Sequence, residues 1–171
     1  RPLKAIERLP EDERPLVIVA LAPENGLEKM KKMLSGRRYV VREKEGDDFP
    51  NLSKVDVMAV TTSGELLELY AAGDLSIVGT DRNVVEPASQ GKPIFLFNSH
   101  QWIHNNETRE RLIGRGGARV FDENALVDAL RNVSVRTQMG LNAKIASDEI
   151  RAIAKQRATE FSVFYAFVQT L

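Results

Sequence analysis

The amino-acid sequence predicts an α/β protein with a Rossmann-like, doubly wound parallel sheet of about six strands. Short β-branched apolar runs alternate about six times with longer stretches whose apolar residues have helical spacing. The 171 residues are enough for one domain with a proper core. A hydrophobic content of 43% and a charged content of 28% are typical of a globular protein.

The strand predictions rest on apolar runs that are rich in valine and isoleucine. The first run, LVIVAL, is continuous, as buried parallel strands usually are. Later runs end at glycine, proline or polar residues that predict loops. The predicted strands are residues 16–21, 38–43, 55–60, 74–79, 93–97 and 118–121.

Helices are predicted between these strands from apolar spacing and from capping residues. Thr62 or Ser63 is the expected N-cap of the third-strand crossover, with Glu65 in the first turn, and Asp122 is the expected N-cap of the last crossover helix. The helical stretches are residues 27–34, 61–73, 83–91, 106–117 and 123–132.

The C-terminal region departs from this alternation, since only helix-compatible sequence follows Ala143. We therefore predict a Rossmann-like sheet domain over residues 1–135 and a helical extension over 136–171. Apolar residues of the extension recur at helical spacing, and four aromatic residues cluster near its end. The extension either packs on its own sheet domain or docks on another domain. The aromatic residues are Phe161, Phe164, Tyr165 and Phe167.

Composition excludes several classes of function. Lysine plus arginine equals aspartate plus glutamate at 24 each, so no overall charge attracts nucleic acid or an anionic membrane. The chain has no cysteine, which rules out disulfides and thiolate metal sites. His100 and His104 have no acidic residue between them, and two polar loop residues explain them better than a metal site does. No apolar run is long enough to span a bilayer.

Three loops that follow predicted strands are candidate ligand-binding segments. In open parallel sheets, ligands bind beyond the carboxyl ends of the strands, where helix N-termini offer free N–H groups to anions. The segments are residues 61–65, 79–83 and 98–106. None contains a GxGxxG or P-loop lysine motif, so the pattern indicates an anion or nucleotide site without further detail.

Asn83 and Glu86 lie one helical turn apart and share a face near the start of a helix. A carboxylate in this place could accept hydrogen bonds from two ribose hydroxyls. Alternatively, Asn83 is an N-cap and Glu86 is the acid of a capping-box arrangement. Spacing alone favours the capping interpretation.

Longer motifs resemble a known family. The segments TSGELLELYAAGDLSIVG, NVVEPASQGKPIFLF and NNETRERLIGRGGARVFDENALVDAL occur in this order. Together they resemble the C-terminal half of the 3-deoxy-D-manno-octulosonic acid (Kdo) transferases, which have a GT-B glycosyltransferase fold. The resemblance covers residues 16–132 and rests mostly on Gly64-Glu65-Leu66, Asn83-x-x-Glu86-Pro87 and Gly91-Lys92-Pro93. The last two motifs are common to many GT-B enzymes.

The resemblance implies a domain that binds the nucleotide-sugar donor, CMP-Kdo in the family, without a metal or other cofactor. It places three residues at the nucleotide and four on the ribose and phosphate side. The first three are Gly64, Glu65 and Leu66, and the other four are Asn83, Val84, Val85 and Glu86. Helix N-termini would stabilise the leaving cytidine monophosphate.

The resemblance also implies what must lie elsewhere. The family's N-terminal half binds the lipid A precursor and supplies the catalytic carboxylate, so this chain holds no catalytic residue and is expected to be inactive alone. The chain begins at Arg1-Pro2 without a methionine, and we expect it to be a piece of a longer protein. That protein is expected in the cytoplasm, peripheral to the inner membrane, in lipopolysaccharide synthesis.

The sequence departs from the family in two places, and two alternatives follow. Only Thr80, Asp81 and Arg82 separate Gly79 from Asn83, where the family has a longer glycine-rich loop. The family's Pro-Arg-His-Pro-Glu corresponds to residues 20–24, which lack the donor-binding arginine; Arg82 is a candidate substitute. One alternative is a degenerate module that acts by protein association, including self-association through the C-terminal helix. The other is a GT-B or epimerase-type domain that prefers a uridine nucleotide sugar.

Overall fold

The computed structural model describes residues 1–21, 26–44, 51–62, 64–79, 84–97 and 106–169, with the backbone alone over 160–169. Contacts divide the chain into two compact units, Arg1–Leu69 and Tyr70–Leu171. The described strands pair as two parallel three-stranded sheets, one built from the first three strands and one from the last three. The Rossmann-like α/β fold predicted from the sequence is confirmed.

The first unit is built around the sheet β1-β3-β2. Its strands are β1 (Val17–Ala20), β2 (Tyr39–Arg42) and β3 (Val57–Val60), and its first two helices are α1 (Pro2–Ile6) and α2 (Gly26–Met33). Short 3₁₀ helices occupy Glu11–Glu13 and Leu52–Lys54. All four residues of β3 are buried, because this apolar strand pairs on both edges in register with β1 and β2.

An ion-pair network joins the amino ends of β2 and β3. The Arg38 guanidinium donates to both carboxylate oxygens of Asp56, at 2.7 Å to Oδ1 and 3.2 Å to Oδ2. The Arg38 backbone N–H donates to Asp56 Oδ2 at 3.0 Å, and Arg38 also bonds Glu11 at 3.1 Å. The hydrogen bonds from Arg38 hold the pKa of Asp56 below its ordinary value of 3.8, although partial burial opposes them.

This network predicts an acid-dependent contribution to stability. A carboxylate whose pKa is lowered by folding stabilises the protein above its unfolded pKa, and the contribution is lost as the pH falls through the folded pKa. Asp56→Asn is therefore expected to lower the free energy of unfolding at neutral pH, by an amount that shrinks below the ordinary pKa of 3.8. Urea unfolding at several pH values measures this, with Asp12→Asn, at an exposed site in the same unit, as the control. A deficit that grows on acidification would contradict the assignment.

Helix α3 (Leu66–Ala72) follows β3 and begins later than the sequence predicts. Gly64 has a φ of 90°, a left-handed conformation that cannot continue a right-handed helix. The first helical bond shown here runs from the Leu69 N–H to the Glu65 carbonyl at 3.0 Å. Thr62 is therefore not the N-cap, and Ser63 lies outside the described residues.

The second unit is built around the parallel sheet β4-β5-β6. Its strands are β4 (Ser76–Val78), β5 (Ile94–Leu96) and β6 (Ala118–Val120). Its further helices are α4 (Val85–Ser89), α5 (Asn106–Gly114), α6 (Glu123–Arg131) and α7 (Val133–Gln169). The central strand β5 is fully buried. The predicted cap of α6 is confirmed, because Asp122 accepts hydrogen bonds from the N–H groups of Asn124 and Ala125.

Helix α7 has 37 residues and is about 55 Å long at 1.5 Å per residue. It packs against α4, α5, α6 and β5, and its residues Ala143 and Ala146 join the core of the second unit. This first part of the helix therefore packs on its own sheet, one of the two arrangements considered above. The aromatic side chains of 161–167 lie outside the described residues. The domain boundary at 135/136, which falls inside α7, stays a prediction.

Candidate functional site

The predicted segment Gly64–Leu66 lies at the carboxyl end of β3 in the first unit. Gly64 is exposed, and a Cβ built on it would meet no atom of the described residues within 4 Å. Both oxygens of the Glu65 carboxylate are hydrogen-bonded: Oε1 accepts from Arg42 Nη2 at 2.7 Å, and Oε2 accepts a close hydrogen bond from Thr62 Oγ1. Glu65 therefore makes protein contacts, and Gly64 leaves the backbone open to approach.

Arg42 is a charged residue of this region that the sequence analysis did not select. It ends β2, and its carbonyl accepts from the Thr61 N–H at 3.0 Å and from Thr61 Oγ1 at 3.2 Å. Its position as an arginine at the end of an apolar strand was the available signal. Its pairing with Glu65, 23 residues later, depends on the register of β2 on β3.

The second predicted segment surrounds the start of α4 in the second unit. The Val84 side chain is 1% exposed and belongs to the hydrophobic core, and Val85 packs against that core. Val84 is buried and Val85 is partly buried, so a ligand would contact these two residues mainly through their backbone atoms. Glu86 is exposed in the first turn of α4. Asn83 lies outside the described residues.

The capping alternative for Glu86 depends on Asn83, which lies outside the described residues, and it stays a prediction. Val84 occupies the N-cap position of α4, with no side-chain capping hydrogen bond. Within the described parts of the chain, no hydrogen bond or ion pair of the Glu86 carboxylate is recorded. The Glu86 carbonyl accepts from Ser89 Oγ at 2.7 Å and from the Gln90 N–H at 3.3 Å.

The charge of Glu86 acts on the phenol of Tyr70 in α3. Burial of the phenol raises the pKa of Tyr70 above 10.0, and the negative charge of Glu86 raises it further. The phenol therefore stays protonated at neutral pH and keeps its O–H donor. Tyr70 is a second residue that the sequence analysis did not select.

The two predicted segments belong to different units. In the first unit, Glu65 of the segment Gly64–Leu66 contacts Arg42 and Thr62. In the second unit, the charge of Glu86 acts on the Tyr70 phenol. Arg82, His100 and His104 lie outside the described residues. Among the residues that the structure describes, no three acidic or histidine side chains are grouped as a metal site would require. No helix in the described ranges has both the length and the apolar character needed to cross a bilayer.

Comparison with solved structures identifies the fold. The chain matches the crystal structure of the C-terminal CMP-Kdo binding domain of WaaA from Acinetobacter baumannii, with a TM-score of 0.54 and 13% identity. The match covers 87% of this chain and 95% of that domain. This likeness confirms the fold that the resemblance to Kdo transferases implied.

A weaker likeness is to WaaG, a glycosyltransferase involved in lipopolysaccharide biosynthesis, with a TM-score of 0.45 and 16% identity. It covers 86% of this chain and 46% of the WaaG chain. No known protein family matches the sequence, and no curated protein matches it at a significant level.

Proposed function

We propose that this chain binds the nucleotide-sugar donor of a GT-B glycosyltransferase of lipopolysaccharide synthesis, with a CMP-Kdo-like donor. The observation that carries the proposal is the exposed Glu86 carboxylate, which has no hydrogen-bond or ion-pair partner among the described residues. The fold supports it, since the WaaA domain of the same fold is a CMP-Kdo binding domain.

In this proposal, Glu86 accepts hydrogen bonds from two hydroxyl groups of the donor. An ionised carboxylate has two oxygens that only accept, which suits a pair of neighbouring ribose hydroxyls. A hydrogen bond to a charged group is stronger than one between neutral groups. In the proposal, Asn83 is the other polar residue of this segment and contacts the ribose or the phosphate.

The other predicted segment contributes mainly through its backbone. Gly64 has open space around it, so a ligand can approach the chain closely there. Glu65 is held by Arg42 and Thr62, and in the proposal it positions neighbouring groups more than it contacts donor hydroxyls. Leu66 begins α3 directly after it.

Sugar transfer itself requires more than this chain. The proposal assigns the lipid A precursor and the catalytic carboxylate to an N-terminal acceptor domain of the same protein. Donor and acceptor must be enclosed together so that water is excluded from the reaction. We therefore expect donor binding without transfer activity from this chain, and we place the full reaction on the cytoplasmic side of the inner membrane.

Calorimetric titration of the chain with CMP, UMP and UDP tests the proposal. CMP is expected to bind, and Glu86→Ala is expected to weaken its binding by about 1–3 kcal/mol, the size of a lost hydrogen bond to a charged group. Glu123→Ala is the matched control, because Glu123 is the acidic residue in the first turn of α6 in the same unit. The control is expected to bind CMP as tightly as the wild type.

The other outcomes separate the alternatives. Preference for a uridine nucleotide would keep the GT-B assignment and refute the Kdo one. No binding of any nucleotide at millimolar concentration would refute donor binding and favour a module that acts by protein association. Equal losses in Glu86→Ala and Glu123→Ala would remove Glu86 from the site.

A further inference from the structure

Arg42 is an incompletely bonded cation at the carboxyl end of β2. Its side chain is 24% exposed, and that of its partner Glu65 is 18% exposed, so the pair is mostly withdrawn from water. Within the described part of the chain, the buried Arg42 Nε has no hydrogen-bond partner. A guanidinium carries five N–H donors, and the bond from Nη2 to Glu65 is the one side-chain hydrogen bond that the description records for it.

The partner carboxylate accepts one hydrogen bond from Arg42 and divides its two oxygens between Arg42 and Thr62. One oxygen of Glu65 accepts from Arg42 Nη2, and the other accepts from the Thr62 hydroxyl. A buried donor without an acceptor is costly, and it calls for a specific explanation such as an absent ligand. The exposed quarter of the side chain shows that Arg42 remains accessible from solvent.

The backbone around Arg42 leaves room for a ligand. Thr61 binds the Arg42 carbonyl through its N–H and its hydroxyl, which fixes the ends of β2 and β3 side by side. Gly64 is exposed in a left-handed conformation with open space beside it. The carboxyl end of a parallel sheet is also where ligands of open α/β folds bind.

Arg38, at the other end of the same strand, is paired with more carboxylates than Arg42 is. It bonds both oxygens of Asp56 and also Glu11, so two carboxylates surround one cation. Arg42 has one carboxylate, which it shares with a hydroxyl. The charge at the carboxyl end is therefore less compensated than the charge at the amino end.

We propose that Arg42 binds a phosphate group at the carboxyl end of β2, with Glu65 as the residue that positions it. Arginine is well suited to this ligand, because its planar fork matches the geometry of phosphate oxygens. The proposal rests on the proposed function, in which the phosphate belongs to the donor nucleotide. Phosphate recognition by Arg42 is nevertheless measurable without the nucleoside.

Calorimetry of the full chain with cytidine and with CMP isolates the phosphate contribution. CMP is expected to bind about tenfold more tightly than cytidine, the scale of one hydrogen bond to a charged group. Arg42→Gln is expected to remove that difference and to leave the cytidine affinity unchanged. Arg38→Gln is the matched control at the other end of β2, and it is expected to preserve the difference.

A titration with inorganic phosphate tests the phosphate site independently of nucleotide binding. In NMR titrations of the full chain, phosphate is expected to shift the amide signals of Thr61, Thr62 and Gly64 in the wild type and not in Arg42→Gln. Glu65→Gln removes the negative charge beside Arg42 and is expected to bind phosphate more tightly. This last variant decides the question if Arg42→Gln does not fold.

The outcomes distinguish the two proposals. If CMP binds but Arg42→Gln keeps the full preference over cytidine, the phosphate role of Arg42 is refuted and donor binding stands. If no nucleotide binds but phosphate shifts these amides through Arg42, donor binding is refuted and the phosphate site stands. Phosphate binding that is absent in the wild type, or is not tightened by Glu65→Gln, would overturn the proposal.

Discussion

Gly140→Ala is expected to destabilise the second unit by about 3 kcal/mol, the upper end of the usual cost of overpacking. A Cβ at this position of α7 would lie 2.1 Å from the carbonyl oxygen of Gly91 and 3.5 Å from Pro93. The nearest atom belongs to the backbone, so no side-chain rotation relieves the clash. Helix α7 or the turn before β5 would have to move.

Helix propensity alone predicts the opposite sign. Replacing glycine by alanine in a helix interior usually stabilises by about 0.5–1 kcal/mol. The clash with Gly91 outweighs this gain, because the approach of α7 to the Gly91-Lys92-Pro93 turn depends on the missing Cβ. The motif thus has a structural role: Gly91 has a φ of 66°, and its carbonyl lies against α7.

Urea-induced unfolding followed by circular dichroism measures the loss. Leu141→Ala is the control on the same helix, since Leu141 is 55% exposed and its truncation should change the free energy of unfolding by less than about 0.5 kcal/mol. A Gly140→Ala protein as stable as the wild type would show that α7 does not pack on this turn.

Gly117→Ala is expected to cost a similar amount, about 3 kcal/mol. Gly117 lies between α5 and β6, and a Cβ there would sit 2.4 Å from both the Cα and the N of Ala143 in α7. This contact is again with backbone atoms. Helix α7 would therefore be pushed away from the carboxyl end of α5.

Two further variants make this prediction specific. Gly114→Ala, at the end of α5, meets no atom within 4 Å and should be neutral or stabilising by about 0.4–1 kcal/mol. Ala143→Gly should rescue Gly117→Ala only in part, since it removes the Cβ contact at 2.9 Å and leaves the two backbone contacts. Full rescue would mean that the clash involves the Ala143 methyl group alone.

Local patterns in the sequence predicted most of the fold. The six β-branched runs became the six strands, with β3 and β5 central and fully buried. The continuous apolar run LVIVAL became β1, an edge strand whose residues alternate between partly buried and exposed, so apolarity alone did not predict which strand is central. Asp122 was recognisable as an N-cap because capping depends on residues two and three positions away. Strand runs and N-caps depend only on residues that are close in the sequence, so both can be predicted from a single sequence.

Features that depend on distant parts of the chain were not predictable in the same way. Helix α3 begins at Leu66 because Gly64 has a left-handed conformation. The sequence pattern was equally compatible with the predicted helix over residues 61–73. The pairing of Arg42 with Glu65 depends on the register of β2 on β3. An arginine at a strand end has many candidate partners in the sequence, so the sequence alone did not identify Glu65. The need for glycine at 117 and 140 appears only when α7 is placed on the sheet.

Glu86 has two interpretations, a helix-capping role and a ligand-binding role. The spacing of Asn83 and Glu86 favoured a capping role, which needs few assumptions. The structure puts Val84 at the N-cap position and leaves the Glu86 carboxylate without a described hydrogen bond or ion pair. The capping role depends on Asn83, which lies outside the described residues, so the titration of Glu86→Ala with CMP decides between capping and ligand binding.

An NMR titration of the full chain with CMP, and separately with UMP, tests the central claim most directly. Donor binding predicts saturable shifts with CMP in the amide signals of Gly64–Leu66 and of Val84–Glu86, and much smaller shifts with UMP. Each segment reports independently on its own unit. Shifts confined to other regions, or none at millimolar CMP, would contradict the assignment of this chain as a nucleotide-sugar donor-binding domain.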